Sequence, residues 1–130
     1  MRSYALPRTG GGLLATRVAL VHTGRVPRPL LAVDTGALYT LVEPPFLSAV
    51  GMTLNHPVSM MDIVGVGGRL RLPCFVLERL HCFGQTLTEV RVLACDFSRI
   101  LPSIHGVLGL RELRASQVTL DRVRNVVTAP

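Results

Sequence analysis

Glycine and proline set the limits on what this chain can become. Twelve glycines and 9 prolines are spread through 130 residues, so every apolar stretch meets a breaker early. A helix bundle tolerates far less of both, because glycine costs about 1 kcal/mol and proline about 3 kcal/mol inside a helix. Short strands joined by tight turns absorb them easily. Hydrophobic residues make up 48% of the chain and charged residues 17%, which provides for a buried core and excludes intrinsic disorder. No run approaches the ~20 apolar residues of a membrane-spanning helix, and the first residues lack the apolar stretch of a secretory signal. The length accommodates one compact domain. A site assembled from two halves therefore has to draw its second half from another copy.

Charge and cysteine content point away from several function classes. The net charge is +6, and all 14 cationic residues are arginine. They are scattered from Arg17 and Arg25 through Arg69, Arg71 and Arg91 to Arg122 and Arg124. A nucleic-acid footprint calls for a basic stripe interleaved with stacking aromatics, and aromatics are only 5% with no tryptophan. A solvated basic surface is the expectation, with neither nucleic acid nor membrane as partner. Cys74, Cys82 and Cys95 are odd in number and widely spaced, so a reducing, cytoplasmic setting is expected, with thiols packed as small hydrophobes. The adjacent pair His81-Cys82 lacks zinc-ligand spacing. No metal and no cofactor is expected.

Read along its length, the chain opens with a flexible lead-in over residues 1–12, ending in Gly10-Gly11-Gly12, and folds over 13–130. Strands are expected at Leu13–Val21, Leu30–Val33 and Leu38–Val42. A short helix runs from Glu43-Pro44-Pro45 to Val50 and stops at Gly51. Val58–Val64 and Arg69–Leu77 form a hairpin around Gly65-Val66-Gly67-Gly68. Further strands lie at Leu77–Cys82 and Thr86–Ala94, about Phe83-Gly84-Gln85. Ile104–Leu108 reads as a buried strand, Gly109–Ala115 as a helix, and Gln117–Asp121 with Val123–Thr128 as a last strand pair. The fold class is all-β, a small barrel with one or two short helices.

The strongest chemical signal is Leu31-Ala32-Val33-Asp34-Thr35-Gly36-Ala37. An acid placed directly after an apolar strand is costly to bury unless it is hydrogen-bonded or partnered. Thr35 offers a hydroxyl, and Gly36 lets the backbone N–H turn onto the carboxylate. The bland alternative is an Asx turn at a strand end. Serines 48, 59 and 103 have no nucleophile-elbow setting, and the glycine cluster is not followed by the helix that a dinucleotide site requires.

Asp34-Thr35-Gly36-Ala37, the glycine-tipped hairpin and Ile104-His105-Gly106-Val107-Leu108-Gly109-Leu110, in this order, resemble a retropepsin-like aspartic protease of the single-domain bacterial type. The resemblance spans roughly Ala15 to Asp121. It implies an acid-protease barrel active as a symmetric homodimer. Asp34 would be the catalytic carboxylate, with Thr35 bonding its own copy across the twofold axis and Gly36 supporting the carboxylate. Ala37 and a flap of Val64, Gly65, Val66, Gly67 and Gly68 would contact an extended, mainly apolar polypeptide substrate. Ile104–Gly109 would brace the Asp34 loop, with His105 a neighbour and not a base, and 122–128 would join the dimer interface. The pattern departs from the family at Arg111, followed by Glu112, where an acid is common, and at Leu38, which makes the nearby surface more apolar. Alternatives of other classes are a non-catalytic dimeric peptide-binding or dimerisation module with the same fold, or a domain whose substrate is its own precursor.

Overall fold

The computed structural model describes residues 1–9, 12–65, 68–97 and 103–130. In chain order the elements are β1 (Arg2–Ala5), β2 (Ala15–Arg17), β3 (Ala19–Val21), β4 (Leu30–Val33), β5 (Thr40–Val42), α1 (Pro44–Ala49), β6 (Ser59–Gly65), β7 (Gly68–Cys82), β8 (Gln85–Ala94), β9 (Gly106–Leu108), α2 (Leu110–Ala115), β10 (Thr119–Asp121) and β11 (Val126–Ala129). The fold is all-β with two short helices. Its main sheet runs β2-β4-β9-β5-β8-β7-β3, with β6 added on β7.

The two ends of that sheet come from one stretch of chain. Residues 15–17 pair with β4 at one edge, and residues 19–21 pair with β7 at the other. Val18 lies between them, buried, with its N–H on the Pro29 carbonyl at 3.2 Å. The stretch expected as a single strand is therefore split across both edges, and this nearly closes the barrel. Closure removes most of the unpaired edge that an open sheet presents.

The hairpins follow local chemistry. Phe83 and Gly84 both take positive φ, 51° and 71°, the two-residue turn whose twist matches flanking strands. The second arm of the glycine-tipped hairpin and the strand leading to Cys82 prove to be one 15-residue strand, β7. Pro44 opens α1, and Gly51 at φ 94° follows its end. Cys74 and Cys82 are buried free thiols. Burial, with the Glu112 carboxylate adding to it, pushes the Cys82 thiol up to about 12.

The lead-in expectation needs correcting at Arg2–Ala5. These residues form β1, which pairs along its whole length with β11, and β10 takes the other side of β11. This three-stranded sheet buries Val127 and Ala129. The alternation Ser3, Tyr4, Ala5 is too short a signal to distinguish from coil, and the pairing partner lies at the far end of the chain.

β9 occupies the centre of the barrel. It runs parallel to β4 and antiparallel to β5, and all three of its residues are buried. Gly106 has φ 152°, and a Cβ there would collide with the Leu41 carbonyl oxygen, so no other residue fits. The residue before it adds a side-chain strut. The His105 N–H donates to the Leu30 carbonyl at 2.8 Å, and His105 Nδ1 accepts from the Leu30 N–H at 2.9 Å. The imidazole thus takes the place of a backbone carbonyl in the ladder, while its ring packs on Phe46 at 4.7 Å. His105→Phe keeps the ring contact and removes the acceptor for a part-buried N–H. Its expected cost is about 1–2 kcal/mol, read as a lower urea midpoint with unchanged m-value.

Candidate active site

Strand β4 ends at Val33, and the chain then leaves the sheet at Asp34. The strand's parallel partner still holds it there, because the Asp34 N–H donates to the Leu108 carbonyl at 3.1 Å. Gly36 N–H donates to Asp34 Oδ1 at 2.8 Å, and Ala37 N–H reaches the Asp34 carbonyl at 3.3 Å. The Asx-type turn is therefore present, and it fixes one carboxylate oxygen while Oδ2 has no partner among the described residues. A Cβ on Gly36 would sit 3.1 Å from Asp34 Oδ1, so glycine keeps this approach open. Asp34, Thr35 and Gly36 are exposed in the single chain, and Ala37 is half-buried.

The return side of the loop is clamped to α2. A helix start leaves N–H groups without intrahelical partners, and here loop carbonyls take them. Leu110 N–H donates to Ala37 carbonyl at 2.7 Å and Arg111 N–H to Leu38 carbonyl at 3.1 Å. Gly109 N–H donates to Thr40 Oγ1 at 3.0 Å, and that hydroxyl donates in turn to Glu112 Oε1 at 2.6 Å. Thr40 is fully buried and Glu112 nearly so. A Cβ on Gly109 would run into the Tyr39 backbone. Arg111, at the position where the family pattern carries an acid, lies 5.3 Å over the Tyr39 ring. The next residue, Glu112, supplies the acid that the bracing helix turns inward.

Burial raises the Glu112 carboxyl above its usual range, partly opposed by the Thr40 hydroxyl and by Arg111. A carboxyl raised in the folded state binds more protons folded than unfolded, so its contribution to stability falls as pH rises.

Beside Asp34 the surface sinks into a depression of about 440 Å³, walled by Leu14, Val33 and Leu120 and rimmed by Arg8 and Arg122. Arg122 reaches across to donate to Thr35 Oγ1 at 2.9 Å. That bond comes from within the chain, whereas the resemblance points to a bond from another copy. A threonine hydroxyl has two acceptor sites and one donor, so its O–H remains available.

The hairpin residues stand apart from this loop. Val64 and Gly65 end β6 and Gly68 begins β7, with Gly65 opposite Gly68. Val66 and Gly67 lie outside the described residues. Met61, Ile63 and Leu72 turn inward onto the cluster around Leu93 and Val107, and Val64 points outward, 79% exposed. Among the described residues no metal-binding cluster of histidine, cysteine and acid is present, and no helix is long and apolar enough to cross a membrane.

The sequence reading gave Thr40 and Arg8 no role, named Glu112 only as the residue after Arg111, and placed Arg122 only in the expected 122–128 interface. Glu112 carried a faint signal, as an acid between Leu110 and Leu113 on a short apolar helix. The two arginines carried none, because they are brought together only by the pairing of chain ends. Glu112→Gln tests the clamp. The wild type is expected to match this variant in stability at low pH and to lose stability relative to it as pH rises from about 4.5 upward. Urea titrations at a series of pH values read this difference.

No protein-family model and no curated protein sequence matches the chain. Among solved structures, the crystal structure of a retropepsin-like aspartic protease from Rickettsia conorii matches with a TM-score of 0.70 and 13% identity, covering 97% of this chain and 88% of that one. With that coverage, a nearly closed barrel and two short helices, the chain has the retropepsin-like fold.

Proposed function

We propose that this protein is a homodimeric aspartic endopeptidase whose active site forms from Asp34 of two copies. The observation that supports this most is the Asp34 carboxylate itself, on the same fold as a known aspartic protease. It has one oxygen fixed by Gly36, and it opens onto a depression large enough for a side chain. The chemistry needs two such carboxylates. In aspartic proteases generally they lie about 3 Å apart and share one proton, because like charges that close cannot both ionise. The ionised carboxylate takes a proton from water, the water oxygen attacks the scissile carbonyl carbon, and the protonated carboxyl gives its proton to the carbonyl oxygen. The tetrahedral intermediate then collapses as the amine leaves with a proton.

Asp62 and Asp121 lack this setting. Asp62 lies in β6, and Asp121 caps a turn by accepting from the Val123 and Arg124 N–H groups. A second Asp34 is therefore the partner that this reading requires, with Thr35 near the twofold axis and the β6–β7 hairpin as flap over an extended peptide. Val64 at the hairpin tip and Leu38 beside the loop are exposed apolar side chains, which suits a mainly apolar substrate segment.

Asp34→Asn is expected to lower cleavage of a peptide library by about a hundredfold or more while leaving the sedimentation of the dimer unchanged. Mixing the two proteins adds a sharper readout. With free exchange of subunits, an equal mixture keeps about a quarter of its chains in fully wild-type dimers. Activity at fixed total protein should fall accordingly, below the half expected of independent monomers. Undiminished cleavage by Asp34→Asn, or a strictly monomeric active species, defeats the reading.

A further inference from the structure

The depression beside Asp34 carries more positive charge than the proposed hydrolysis uses. Arg8 and Arg122 both line it, and both are exposed in the single chain. Each is held in place by an uncharged acceptor. Arg8 donates to the Gly12 carbonyl at 2.9 Å and to Asn125 Oδ1 at 3.5 Å, and Arg122 donates to Thr35 Oγ1 at 2.9 Å. A guanidinium has five N–H donors, so among the described residues both keep donors without a partner.

Their positions are built in by the chain-end sheet. Asp121 Oδ1 accepts from the Val123 and Arg124 N–H groups and so shapes the turn that carries Arg122. Asn125, at φ 55°, closes that turn, and its side chain holds Arg8. Two arginines 114 positions apart in the chain thus converge on one cavity. Each half-site sets two guanidinium groups against the single Asp34 carboxylate, and under the proposed reading two Asp34 groups share one proton. The assembled cleft has excess positive charge beside apolar walls of Leu14, Val33 and Leu120.

We infer that this depression is a subsite for a carboxylate of the substrate, so that the preferred peptide places an acidic residue next to its apolar cleavage segment. The inference rests on the reading of the Asp34 depression as part of the peptide groove. A guanidinium is suited to the task because it binds a carboxylate through parallel N–H donors. Such a charge-assisted bond is stronger than its neutral counterpart, and discrimination of about tenfold or more between Glu and Gln is expected. The carboxylate can belong to a side chain or to a peptide C-terminus, and the peptide set must separate the two.

The probes are fluorescent heptapeptides with a central apolar pair flanked by Glu, Gln or Lys, each made as C-terminal amide and as free acid. Binding is measured by anisotropy on Asp34→Asn, and cleavage on the wild-type protein, both at pH 6. The Glu amide is expected to bind about tenfold tighter than the Gln or Lys amide. Arg8→Gln and Arg122→Gln should each bring the Glu-to-Gln ratio toward one, and Arg122→Glu should invert it in favour of Lys. A ratio is insensitive to general loss of folded protein, and inversion is something a merely structural role for Arg122 would not produce. The preference should also fade as pH falls through the glutamate range near about 4.3. If only the free acids bind tightly, the occupant is a C-terminus and the preference for acidic residues is overturned. Cleavage without a Glu preference overturns the subsite and leaves the protease reading standing. Glu-selective binding without cleavage supports the subsite and removes the protease reading. No binding of any peptide overturns the subsite.

Discussion

The barrel depends on β9 passing between β4 and β5, and β9 depends on Gly106. A central strand with a partner on each side must approach both backbones closely. At Gly106 the approach to Leu41 leaves no volume for a side chain, and φ 152° places the residue where glycine is at home. From there the constraint propagates outward. Val107 and Leu108 pair with Ala32 and Val33, the Leu108 carbonyl takes the Asp34 N–H, and the acid is delivered at the strand end in one position. His105 reinforces the same register with a side-chain nitrogen where the ladder would otherwise end.

The second half of the loop is held by polar contacts, and these differ from the strand contacts in what they cost. Thr40 and Glu112 are buried, and burial disfavours the charged carboxylate. A hydrogen bond to a buried acid offsets part of that penalty but seldom all of it. An apolar pair would stabilise the helix contact as well or better. What the Thr40–Glu112 pair adds is direction, because Oγ1 has one donor and the Gly109 N–H approaches it from the other side. The helix start and the loop are thereby locked in one relative rotation, which apolar packing alone does not specify. For the role proposed for Asp34, that kind of positional definition matters more than added stability.

The parts of the fold legible in the sequence are those where local chemistry and tertiary structure agree. Asp34-Thr35-Gly36 after an apolar strand, the Phe83-Gly84 turn, the Pro44 helix start and the buried strand Gly106–Leu108, expected from Ile104 onward, all carry their signals within a few residues. The misreadings occur where the deciding partner is distant. β1 is four residues whose register is set by β11, and nothing within the first twelve positions announces it. The split of Ala15–Val21 between two sheet edges reflects barrel closure, which no period-2 pattern encodes. The hairpin arm and the strand to Cys82 merge because β7 is long enough to pair with β6 at one end and β3 at the other.

The same distinction changes the meaning of the net charge. Taken as a count, +6 on a scattered set of arginines describes a solvated surface and no particular ligand. Topology, however, selects two of the fourteen. Pairing β1 with β11 carries the N-terminal segment to the far end of the chain, and the β10–β11 turn then places Arg122 against Thr35 and its Asn125 against Arg8. A guanidinium at the mouth of a partly apolar cavity is screened less than one on an open surface, so these two count for more than a described arginine on open surface. The chain-end sheet, read only as an expected interface, is also the element that gives the cleft beside Asp34 its sign.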